Sequence, residues 1–108
     1  MIINKIDFTT LNILQTLYLV RYSHHPHPDY IIVYFHAYNE KTRSISYSLG
    51  EYGRIKQINY GKAEFRLFID KDEMMRSLYD CFMKRNLPLL VYRDLINNSQ
   101  ENRPEIWV

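Results

Sequence analysis

The run His24-His25-Pro26-His27-Pro28-Asp29 holds the densest set of chemically able side chains in the sequence. Each proline disfavours helical backbone at the residue before it, so the segment is stiff and extended. In extended backbone His25, His27 and Asp29 alternate onto one side, which sets two imidazoles beside a carboxylate as a candidate transition-metal set. The same imidazoles, with an unperturbed pKa of about 6.5, are a candidate acid–base pair for a metal-independent ribonuclease. That chemistry also needs a cationic anchor for the scissile phosphate, and the sequence places none of Arg43, Arg54 or Lys56 beside the linker. The competing reading is a stiff exposed linker from helix to strand whose histidines are merely soluble.

Other catalytic patterns are missing. The chain has no glycine-rich phosphate loop, nucleophile elbow, paired-cysteine zinc spacing or His-Glu-x-x-His, so neither a cofactor nor a resident metal is expected. The one thiol, Cys81, falls beside Leu78 and Phe82 on a predicted helix, a setting for packing rather than nucleophilic attack. A single cysteine cannot form an intramolecular disulfide, and a reducing compartment is the simplest fit. With no signal-peptide pattern and no spanning segment in the sequence, a cytoplasmic location and no membrane partner are expected.

What the sequence offers instead of a catalytic set is aromatic surface. Asp29 to Tyr38 is almost wholly apolar or aromatic, within a chain of 108 residues that carries 10 tyrosines. Strand alternation puts Ile31, Val33, Phe35 and Ala37 on one side and Tyr30, Ile32, Tyr34, His36 and Tyr38 on the other. The first side is a core face. The second is either covered in its turn or an aromatic platform for a partner. Tyr30, Tyr34, His36 and Tyr38, with Tyr52 and Arg54 in the following hairpin turn, are therefore the candidate partner-binding residues. Interfaces favour such tyrosines, and a small domain with an aromatic face and no catalytic motif fits an inhibitor or immunity-type protein that occludes a partner enzyme or toxin.

Nucleic acid is the alternative partner. The formal net charge is only +2, but residues 41–66 contain six basic and two acidic residues and carry +4 by themselves. Basic residues interleaved with Tyr47, Tyr52, Tyr60 and Phe68 are the recipe for stacking single-stranded bases between phosphate contacts. The segment from Tyr60 to Phe68 is not assigned to the RNA-recognition-motif domains, because it begins Tyr60-Gly61-Lys62 where a basic-Gly-aromatic start is needed.

The elements that must position these residues follow from periodicity. Residues 2–8 suggest a short strand or extended lead-in. Leu11, Leu14, Leu17 and Tyr18 recur at helical spacing and predict a largely buried helix over 10–22. A strand over 30–38, a turn at 39–42 and the alternating 44–49 form a predicted hairpin. A weaker strand over 54–60 needs a bulge to hold both Ile55 and Ile58 inside. Alternation of Ala63, Phe65, Leu67 and Ile69 predicts another strand. Asp70 with Glu73 opens a helix carrying Met74, Met75, Leu78, Cys81 and Phe82, which Asn86 closes. Leu89 to Tyr92 reads as a short buried strand. The expected class is α+β: a two-layer sandwich, a mostly antiparallel sheet with two helices on one face, for which a ferredoxin-like arrangement with an inserted hairpin is the first topology suggested. Residues 1–96 are expected to form one domain, and 97–108 a polar tail whose Ile106-Trp107-Val108 is apolar enough to dock back.

Overall fold

The strand foreseen at residues 30–38 is the spine of the sheet. It forms as β2 (Asp29–Asn39) and pairs antiparallel with β1 (Thr16–Arg21) on one side and β3 (Ser44–Ser48) on the other. The computed structural model describes residues 6–50 and 53–97. It adds β4 (Ile55–Asn59) beyond β3 and the short β5 (Leu67–Phe68) beyond β1, giving a five-stranded sheet in the order β4-β3-β2-β1-β5. Three helices, α1 (Tyr60–Arg66), α2 (Lys71–Lys84) and α3 (Leu89–Asn97), complete an α+β fold on an antiparallel sheet, the class expected. Strands β1 to β4 are a simple meander, after which α1 carries the chain across the sheet to the far edge. A ferredoxin-like order would instead interleave its strands through helical crossovers.

Helix α2 forms where the sequence placed it. Asp70 caps it by accepting from the Asp72 N–H at 3.0 Å, and Asp72 and Glu73 place negative charge at the positive end of the helix dipole. Asn86 takes the left-handed conformation, φ 53°, that ends it. Three other segments differ from expectation. The region predicted as a helix over 10–22 contains β1 instead. Leu17 and Leu19 enter one core while Tyr18 and Val20 meet the other, so this strand has no polar face and no alternation to reveal its period. Ahead of it, Asp7 caps a 3-10 turn (Phe8–Thr10) through the Thr9 N–H at 3.0 Å; the rest of the expected lead-in at 2–8 lies largely outside the described residues.

The predicted strand over 62–69 is α1 followed by β5. The Asn59 side chain accepts from the Gly61 N–H at 2.9 Å and starts the helix, after which Tyr60, Ala63 and Leu67 reach the core at helical spacing while Phe65 and Ile69 stay exposed. The predicted strand at Leu89 to Tyr92 is the first part of α3. Pro88 is well placed there because a helix needs no N–H at its start, and its carbonyl accepts from the Val91 N–H at 3.1 Å. A four-residue apolar run does not itself distinguish strand from buried helix.

Two cores sandwich the sheet. Under α2 and α3 lie Val20, Tyr30, Phe68, Met74, Leu78 and Phe82; under α1 and the N-terminal turn lie Phe8, Leu17, Val33, Phe35, Ile45 and Leu67. Two helices share one face as expected, and α1 adds a partial layer on the opposite face.

Tyr30 is 5 % exposed and its hydroxyl has no hydrogen-bond partner among the described residues. A buried unpaired hydroxyl costs roughly 1–3 kcal/mol of desolvation. Tyr30→Phe is therefore expected to raise stability by about 1 kcal/mol in urea unfolding, and a loss of stability would show that the hydroxyl has a partner. Leu78→Ala, which empties a fully buried site, is expected to cost about 2–5 kcal/mol.

Candidate functional site

The aromatic strand does not present one platform. Opposite β3, Tyr34 pairs with Ser48 and Phe35 with Tyr47, but Ala37 pairs with Ser46, leaving His36 as the extra residue of a β-bulge. A bulge shifts the period of two by one residue, so side chains beyond it change faces. Tyr30 lies under α2, and Tyr34 stays on that same face of the sheet. Tyr38, past the bulge, packs on the α1 side against Phe8 and Tyr60, with ring centroids 6.4 and 5.8 Å away. The bulge foreseen in β4 is absent: β4 is regular, Ile58 meets the core, and Ile55 remains 55 % exposed on the other face.

His36 is fixed by what lies beside it. Its Nε2 is 2.8 Å from Ser48 Oγ, which in turn donates to the Gly50 carbonyl at 2.5 Å. Ser48 is 0 % exposed. A catalytic serine must reach its substrate, so this Ser–His pair locks the bulge to the end of β3 and is not a nucleophile with its base.

The open site begins at this lock. Neither β3 nor β4 contributes a residue to the core under α2 and α3. Register puts Tyr34 and His36 from β2, Ser44, Ser46 and Ser48 from β3, and Ile55, Gln57 and Asn59 from β4 on this uncovered wing. None of them is charged. Beyond the wing, β4 pairs with β3 alone, so its outer backbone edge is unpaired among the described residues. Of the partner-binding residues expected from the sequence, Tyr34 and His36 lie on the wing and Arg54 is exposed just ahead of β4. Tyr30 is buried, Tyr38 is on the opposite face, and Tyr52 lies outside the described residues. The residues missed were Ser46, Ile55 and Gln57, and the signal was present: the odd spacing of Ile55 and Ile58 marks two faces when no bulge intervenes.

The histidine linker serves the β1–β2 hairpin. Arg21 closes it on Asp29 with a two-pronged ion pair, Nε to Oδ1 at 2.7 Å and Nη2 to Oδ2 at 2.5 Å. His27 packs on Phe82 with ring centroids 6.0 Å apart, and its Nδ1 is 2.9 Å from the Pro28 carbonyl, whereas His25 is exposed. Among the described residues no group of three His, Cys, Asp or Glu side chains is arranged to hold a metal ion.

A groove of about 690 Å3 lies between α2 and the end of α1, and half-buried Cys81 lines it. Its inner hydroxyls satisfy one another. Tyr22 OH donates to the Phe65 carbonyl at 3.0 Å and meets Ser77 Oγ, while Arg85 Nη1 donates to the Tyr22 carbonyl at 2.7 Å. The groove is a tie between β1, α1 and α2. Burial pushes the Tyr22 phenol above its ordinary pKa of 10.0; the Ser77 hydrogen bond opposes that rise, and so does Arg66. For a neutral acid, a raised folded-state pKa means stability that is whole below pH 10 and is lost as pH climbs from there through the folded value. Tyr22→Phe is expected to lower stability at pH 7, through the lost hydrogen bonds, yet to show a shallower decline than the wild type above pH 10. Parallel alkaline declines in urea midpoint would show that Tyr22 is not the group responsible.

No family model matches the chain, and no curated protein or solved structure proved similar to it.

Proposed function

We propose that this chain is a cytoplasmic protein-interaction domain, an inhibitor or immunity-type protein that blocks a partner enzyme or toxin by occlusion, and that it docks through the β3–β4 wing. One observation carries the reading: among the described residues no helix covers the β3–β4 half of this sheet face, and the residues that register places on it carry no charge. A strand face meant for water is normally polar and charged, whereas the centre of an interface is depleted of charge and enriched in aromatics. Tyr34 and Ile55 supply apolar area, Ser44, Ser46 and Gln57 supply hydrogen bonds, and the edge of β4, unpaired among the described residues, offers a backbone ladder to an incoming strand. Arg54, exposed just ahead of β4, suits the polar rim.

The expected measurement is an affinity with little salt dependence, since no ion pair is needed at the centre. With the captured partner in hand, Tyr34→Ala and Ile55→Asp should each weaken binding at least tenfold, about 1.4 kcal/mol, while circular dichroism and the unfolding midpoint stay near wild type. Unchanged binding by both variants would reject the wing.

A nucleic-acid reading keeps one specific support. On the α1 face the Arg43 guanidinium lies 5.5 Å from the Tyr60 ring centroid, and Tyr60 packs against Tyr38 and Phe8. A cation beside a cluster of aromatic rings suits a single-stranded base. Binding of this kind to an oligoribonucleotide should fall log-linearly with salt and be lost in Tyr60→Ala; a salt-insensitive complex excludes it.

A further inference from the structure

Where α1 ends beside the last residues of β1, a concavity of about 290 Å3 opens on the face opposite the wing. Arg21 and His24 line it from the β1–β2 hairpin, Ser23 adds a hydroxyl, Arg66 enters from the last turn of α1, and Tyr47 is part of its wall. Among the described residues no carboxylate lines it, although Asp29 pairs with Arg21 at its edge. We propose that this concavity binds a terminal phosphoryl group, a phosphomonoester or pyrophosphate dianion. This reading is independent of the wing.

The charges favour an anion. Arg66 forms no ion pair among the described residues, so no neighbouring carboxylate compensates its positive charge there. Arg21 uses two of its five N–H groups on Asp29, which leaves three donors and holds the guanidinium in place before any ligand arrives. His24 Nε2 stands 3.7 Å from Asp29 Oδ2, outside hydrogen-bond reach, and is free to donate elsewhere. The geometry favours phosphate over carboxylate. Donors come from the end of β1, from the loop after it and from α1, and a tetrahedral oxyanion offers acceptors in all three directions where a planar carboxylate offers one edge. Size sets the ligand class. At about 290 Å3 the concavity sits at the lower end of the roughly 300–1,000 Å3 of small-molecule sites, room for a compact charged group with the rest of its bearer outside. The guanidinium-bearing residues Arg21 and Arg66 border one small volume, which favours a chain terminus over a phosphodiester passing through.

The test titrates pyrophosphate into the full chain at constant ionic strength, chloride making up the balance, while amide shifts of Ser23, His24 and Arg66 are followed. The second arm compares a 5′-phosphorylated pentanucleotide with the same sequence lacking that phosphate. Saturable shifts at these residues are expected, with competition only by the phosphorylated oligonucleotide. Arg66→Gln should weaken binding at least tenfold, whereas Arg43→Gln, which removes the same charge at the other end of α1, should leave it unchanged. If Arg66→Gln does not fold, Arg66→Lys keeps the charge without the planar fork and should still lose at least threefold. Three results would overturn the proposal: shifts that do not saturate, equal loss in both glutamine variants, or equal competition by the two oligonucleotides.

Discussion

One inserted residue governs how this sheet divides its work. Without the bulge at His36, strict alternation from Tyr34 would leave Tyr38 on the wing and aim Ala37 at the core beside Ile45, placing a phenol where a methyl now sits and a methyl where a ring now packs. With it, Tyr38 closes the aromatic cluster of Phe8 and Tyr60, and Ala37 faces outward. A bulge leaves the extra residue's position unsupported by the ladder, and here a side chain replaces that support: His36 holds Ser48, and Ser48 holds the Gly50 carbonyl. Ser48 thus stays satisfied although fully buried, which avoids the penalty of an orphaned hydroxyl. The same two bonds fix where β3 stops and where the exposed wing starts.

Strand alternation and α1 also sort the charges. The sequence gathers six basic residues between Lys41 and Arg66, as though the whole meander were cationic. In the fold, period-two alternation sends them away from the wing: Lys56 pairs with Tyr47 on the α1 face, Arg43 lies over Tyr60, and Arg66 reaches the concavity beside Arg21. Their neighbours Ile55 and Gln57 take the other face. A nearly neutral chain thereby acquires one uncharged surface and one cationic surface on opposite sides of a single sheet. Interfaces that rely on apolar contact and sites that rely on anions make incompatible demands on charge, and a sheet face apiece satisfies both.

Legibility in the sequence followed the number of faces an element leaves in water. Helix α2 and strand β3 are readable because each keeps a polar side against which an apolar period stands out, and Asp70 and Asn86 add chemically specific ends to the helix. Strand β1 was unreadable for the opposite reason: covered on both faces, it offers only a run of apolar residues into which Leu11, Leu14, Leu17 and Tyr18 fit a helical spacing by coincidence. Helix α1 hid behind the alternation of Ala63, Phe65, Leu67 and Ile69, and only the Asn59 cap told against it. At the site, Tyr34 and His36 were identified while Tyr38 was misplaced. No local rule announces a bulge held by a serine twelve residues downstream.

The chain just before β1 is where the wing's boundary is under tension. Leu14 adopts φ 65°, a left-handed conformation that costs a residue with a Cβ roughly 1–2 kcal/mol. Two hydrogen bonds oppose that cost: the Leu14 N–H donates to the Phe35 carbonyl at 2.6 Å, and the Phe35 N–H donates to the Gln15 carbonyl at 2.9 Å. Each contributes on the order of 1 kcal/mol net, so the arrangement roughly balances and is held by β2 rather than by its own preference. Both bonds engage Phe35, the residue immediately ahead of the bulge, from the side opposite β3. The turn and the His36–Ser48 lock therefore grip the same point of β2 from its two edges. Strain that the surrounding structure over-determines tends to mark sites of function. Its position here, bonded to β2 immediately ahead of the His36 bulge, joins the backbone geometry to the surface through which this domain is proposed to act.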